Sequence, residues 1–174
     1  MASTPMPTTL DLSPALLTLA DLPAGWQIRQ ISGQRSTIVV DPCGLTGIPY
    51  QPIGRATADF SDAPTGRYLS QVIAAYEPGM AAKALQALKD AIVSCQAWQH
   101  AHMAPLAIGE QGIILQVPVQ FGPLATVTMD FVVFQRGDTL VTLAHSAISP
   151  AILDSKQTEA FARRADEKLL QFRR

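Results

Sequence analysis

Three apolar, extended runs follow one another with short turns between them, and this arrangement limits the fold more than any other feature of the chain. They are Gly112 to Phe121, Leu124 to Gln135 and Thr139 to Ile148. Gly122-Pro123 separates the first pair and Arg136-Gly137-Asp138 the second. Gly and Asp at such junctions favour tight turns, so the pattern predicts a meander of antiparallel hairpins. Pro118 inside the first run predicts an edge position or a bulge, because proline donates nothing to a ladder.

The chain before the meander divides into shorter pieces. Residues 1 to 9 carry two Pro and three Thr, which predicts a flexible tether. Ser13-Pro14 predicts the start of a short helix over Ala15 to Ala20, with Leu16, Leu17 and Leu19 facing the core. Trp26 to Ile31 and Thr37 to Val40 read as strands, and residues 41 to 54, broken by Pro and Gly, read as a loop. Arg55 to Phe60 and Arg67 to Tyr76 predict two strands around the turn 61 to 66. Tyr68 to Tyr76 also fits a helix; its aromatic and β-branched content decides for a strand. Met80 to Ala97 is the clearest helix, with Leu85, Leu88, Ile92 and Cys95 on one face. Gln99 to Gly109 reads as a loop. A closing helix over Lys156 to Phe172, capped by Asp154-Ser155, carries a stripe of Leu153, Phe161, Ala165, Leu169 and Phe172. Strands and helices in blocks predict an α+β fold: one domain over residues 10–174, a twisted antiparallel sheet packed against helices in two layers, covered on one face.

Charge excludes some functions. With 13 basic and 14 acidic residues and a net charge of -1, no field of one sign favours nucleic acid or an anionic membrane. No apolar run approaches the roughly 20 residues that span a bilayer. The first residues lack the basic cluster and apolar core of a secretory signal.

Cys43 and Cys95 are the only two cysteines. A single widely spaced pair fits a disulfide better than a metal site, which needs about four ligands. Closing a loop of about 50 residues would stabilise by roughly 4 kcal/mol in the chain-entropy model. The alternative is a pair of buried free thiols. A disulfide predicts an oxidising compartment, and then a signal sequence or lipid anchor upstream of this chain.

Leu22-Pro23-Ala24-Gly25-Trp26 after a short first helix, the loop Cys43, Tyr68 to Tyr76 leading into an Ala-rich helix that ends at Cys95 beside Trp98, the Arg136 to Val141 hairpin and the amphipathic last helix come in a familiar order. In order and spacing the chain resembles the PknH-like extracellular sensor domains of actinobacterial receptor kinases and their lipoprotein and stand-alone relatives. The resemblance covers most of residues 10–172. It implies a secreted or lipid-anchored domain whose sheet and helices form a cleft for an unknown small-molecule or cell-envelope ligand. It implies no enzyme activity and no cofactor.

Few residues carry chemistry. Asp130 interrupts an apolar strand, and His145 lies in the next. If Gly137-Asp138 are the loop residues of the hairpin, Arg136 pairs with Thr139 and Asp130 falls opposite His145; a loop one residue earlier makes them diagonal. They would be either a pair lining a groove, with the carboxylate raising the imidazole pKa, or a polar pair on the solvent face. Tyr50 and Tyr68 are further candidates for a ligand groove. His100 and His102 form an H-x-H that fits a loop better than a metal site. Arg136-Gly137-Asp138 spells an adhesion tripeptide that a hairpin turn explains as well. The expectation is a non-catalytic extracytoplasmic sensing domain for an apolar or neutral ligand. The alternative is a small cytosolic enzyme with an Asp130/His145 acid–base pair.

Overall fold

The structure, a computed structural model, describes residues 10–29, 50–99, 101–121 and 125–173. Its elements are β1 (Gln27–Ile28), β2 (Gly54–Asp62), β3 (Arg67–Ala75), α1 (Met80–Ser94), β4 (His102–Pro105), β5 (Gln111–Phe121), β6 (Ala125–Arg136), β7 (Thr139–Ile148) and α2 (Ser155–Phe172). All seven strands join one antiparallel sheet in the order β1-β2-β3-β7-β6-β5-β4. The β5-β6-β7 meander and the β2-β3 hairpin stand where the sequence placed them. Their union does not come from local pattern: β3 pairs with β7, so Leu69 stands opposite His145. The chain leaves the sheet after β3, runs through α1 to the far edge at β4, and meanders back.

The α+β reading holds, with a third layer added. Side chains directly opposite in the ladder share a face. One face carries Phe60, Leu69, Ile73, Val132, Phe134, Val141 and Leu143, packed under Leu12, Leu17, Trp26 and the Phe161, Ala165 and Leu169 stripe of α2. The other carries Ile113, Leu115, Val117, Met129, Phe131 and Val133, packed under Ala81, Leu85, Leu88, Ile92 and Trp98. Both faces of the central strands are therefore apolar. That is why β6 reads as a nearly continuous apolar run instead of alternating.

Three expected elements differ. The helix over Ala15 to Ala20 is two short 3-10 turns, Ser13–Ala15 and Leu19–Asp21. A helix that short is costly to nucleate alone. Here the Leu17 N–H donates to Gln71 Oε1 of β3 at 2.7 Å, so the sheet takes the hydrogen bond that a helix would have used. Leu17 is buried, whereas Leu19 is exposed. Helix α1 ends at Ser94, whose hydroxyl donates to the Asp90 and Ala91 carbonyls at 2.9 and 3.1 Å. The chain turns extended at Cys95, and a 3-10 turn over Gln96–Trp98 drops Trp98 onto Phe131, ring centroids 5.8 Å apart. Within the expected loop 99 to 109 lies β4, which pairs with residues 113 to 116 of β5. Pro118, expected at an edge or bulge, sits just past that pairing, opposite Thr128 of β6. The expected strand Thr37 to Val40, the tether 1 to 9 and most of the loop 41 to 54 lie outside the described residues. Among those described, no helix is long and apolar enough to cross a membrane.

Candidate functional site

The β6-β7 turn sets the site. Gly137 adopts a left-handed φ of 55°, which glycine reaches without the penalty a Cβ brings. Arg136 then pairs with Thr139, and counting back along the ladder puts Asp130 opposite His145. The same turn closes the adhesion-like tripeptide on the fold. Arg136 grips Asp166 of α2 through two hydrogen bonds, Nε to Oδ1 at 2.9 Å and Nη2 to Oδ2. Asp138 accepts the Gly79 N–H at 2.8 Å.

Asp130 and His145 face neither solvent nor a groove; both are 0% exposed. They lie beneath α2, and Thr158 of that helix stands between them. The Thr158 hydroxyl donates to Asp130 Oδ2 at 2.8 Å, and His145 Nδ1 lies 2.7 Å from the same oxygen. A hydroxyl has one proton to give. With that proton directed at Asp130 Oδ2, His145 Nδ1 must itself donate to the Thr158 oxygen, which assigns the Nδ1–H tautomer and leaves Nε2 with a lone pair. Phe161 and Trp26 pack on the imidazole at centroid distances of 5.3 and 5.9 Å.

The expected rise in the histidine pKa is reversed. Burial pushes His145 down to about 4, and the Arg67 charge lowers it further against a smaller opposing effect of Asp154. Desolvation outweighs any carboxylate nearby because the imidazolium would lose its water beneath α2. The chemistry that follows is restricted. In nucleophilic catalysis the imidazole sits between carboxylate and hydroxyl and takes the hydroxyl proton. Here the hydroxyl sits between, and its proton points away from the imidazole. The arrangement orients the three groups and clamps α2 to the sheet.

The other candidate residues lie elsewhere. Tyr50 packs against the core under α1, on the opposite side of the sheet. Tyr68 faces that side too, by its position one residue before Leu69 in β3, with the Arg29 guanidinium 5.5 Å above its ring. The four groove candidates thus fall on two faces of one sheet and do not gather. Cys95, partly buried, caps the C-terminal end of α1. No free cysteine stands among the described residues; the expected partner Cys43 lies outside them. His102 is exposed on β4, and His100 lies outside the described residues. No cluster of three or more His, Cys, Asp or Glu that would suit a metal occurs among the described residues. A shallow depression of about 470 Å³ lies between the turn Ala63 to Gly66 and residues 148 to 151, and no titratable side chain lines it.

Thr158 and Gln71 were missed from sequence. Thr158 had a legible signal, since it lies three residues before Phe161 on the apolar stripe of α2. Gln71 had one as well: it is the polar member of Leu69-Gln71-Ile73, the buried face of β3.

No family model matches the chain, and no curated protein matches it. Its fold is similar to that of the extracellular domain of PknH from Mycobacterium tuberculosis. The likeness covers 91% of this chain and 94% of that one, with a TM-score of 0.54 and 11% identity. At that identity the likeness concerns the fold.

Proposed function

We propose that this chain is a non-catalytic extracytoplasmic sensing domain, of the secreted or lipid-anchored kind, that binds an apolar or neutral cell-envelope molecule. The observation that carries the reading is the fold likeness to an extracellular domain over nearly the full length of both chains. The buried histidine adds to it. Asp130 and His145, the pair on which an acid–base enzyme would depend, are sealed under α2 and engaged with Thr158, so a substrate would have to displace a helix to reach them. The near-zero net charge suits a neutral ligand better than an anionic polymer. A Cys43–Cys95 disulfide belongs to the same proposal, tying the end of α1 to the loop after the second predicted strand.

Intact mass after alkylation, with and without prior reduction, tests the compartment. Two thiols labelled only after reduction support the reading; two labelled without reduction would remove its oxidising-compartment premise. Binding is tested by thermal shift with neutral glycan fragments and with vesicles of zwitterionic lipid. An upward shift supports a ligand of that class, and no shift with either probe counts against it.

A further inference from the structure

The clamp beneath α2 leaves polar capacity that the protein does not use. His145 Nε2, Gln71 Nε2, Arg67 Nε and Asp130 Oδ1 are all buried side-chain atoms without a protein hydrogen-bond partner. All four residues lie on the α2 face of the sheet. Leu69 stands opposite His145, and Arg67 and Gln71 flank Leu69 two residues to either side. They are thus the two diagonal neighbours of His145 on one face, positions that long side chains can bridge.

The polarity of these atoms is complementary. Gln71 Oε1 is committed to the Leu17 N–H, which orients the amide and leaves Nε2, a donor, as the free end. His145 is bound through Nδ1, so its free Nε2 is an acceptor. Gln71 and His145 are both 0% exposed. A buried donor and a buried acceptor left this way each cost free energy unless something satisfies them.

We propose that this row binds one ordered internal water molecule, which accepts from Gln71 Nε2 and donates to His145 Nε2, with Arg67 Nε as a further donor. A bridging water reaches its donor and its acceptor through hydrogen bonds of about 2.8 Å each, and diagonal positions on one face lie within reach of long side chains. The site offers the two to four polar partners that a buried water takes. The water makes the clamp continuous from Gln71 on β3 through His145 on β7 and Thr158 on α2 to Asp130 on β6.

Nuclear magnetic resonance on the ¹⁵N-labelled wild-type protein tests this. Dipolar cross-peaks from water to the Gln71 side-chain amide protons and to the His145 Hε1 proton are expected, together with the ¹⁵N pattern of an Nδ1–H imidazole whose Nε2 accepts. Absence of both cross-peaks overturns the proposal. So does scalar coupling across a direct Gln71 Nε2–H···Nε2 His145 hydrogen bond, or a proton on Nε2.

Discussion

Asp130 and His145 stand directly opposite each other on β6 and β7, yet they are joined only through the hydroxyl of Thr158. Each takes a hydrogen-bond partner from the helix, and the helix serves both with one atom, Thr158 Oγ1.

Thr158→Val keeps the shape of the side chain and removes that atom. Two buried polar groups then lose a partner at once, which costs about 2 to 3 kcal/mol. Urea denaturation should show a lower midpoint with an unchanged slope. Wild-type stability in this variant would mean that the contact contributes nothing net.

The buried imidazole makes stability depend on pH in a defined window. His145 is held at about 4 in the fold, against about 6.5 in an unfolded chain. Between those values the unfolded state binds the extra proton, so stability falls as pH falls from 6.5 toward 4 and is retained above 6.5. The full effect is on the order of 3 kcal/mol. His145→Phe should flatten the stability profile over this window; an equally steep profile would place its origin in another group.

Asp21 ties the N-terminal segment to α2. Its carboxylate meets Lys168 Nζ at 2.7 Å and Arg164 Nε at 2.8 Å, and it also accepts the Thr18 N–H at 2.8 Å. Burial alone would raise its pKa, but Lys168, the Thr18 groups and Arg164 together hold it well below the ordinary carboxylate range. A depressed carboxylate stabilises above its unfolded value, about 3.9, and loses that contribution as pH falls below it. Asp21→Asn should cost about 1 kcal/mol at neutral pH, and the gap from wild type should close below about pH 4. Hydrogen exchange should quicken first in residues 12 to 22.

Gly109 and Gly79 both have positive φ, 68° and 77°, but their surroundings differ. A Cβ on Gly109 would collide with the Gln135 carbonyl oxygen, and one on Gly79 meets nothing within 4 Å. Gly79→Ala should therefore cost only the backbone term, about 1 kcal/mol. Gly109→Ala must also move β6 and should lower the melting temperature by at least twice as much. Equal shifts for the two variants would show that the strand end yields freely.

Much of the architecture is legible in the sequence. The β5-β6-β7 meander, the β2-β3 hairpin, α1 and α2 follow from local pattern, because hydrophobic period and turn residues act over a few neighbours. The shared face of Asp130 and His145 was legible too, with two registers open; the Gly137-Asp138 loop chooses the one that sets them directly opposite. The first helix was not, because its backbone donor goes to Gln71, 54 residues away.

By itself, the sequence determined the two long helices, the main hairpins with their antiparallel order, and a shared face for the two polar residues. The tertiary structure alone decided that β3 joins β7, that helices cover both faces, and that α2 closes over Asp130 and His145. Those outcomes depend on which apolar faces meet across long separations. From that burial came the depressed histidine and the separation of the tyrosines from the polar pair, since desolvation is a property of the assembled layers and of no single segment.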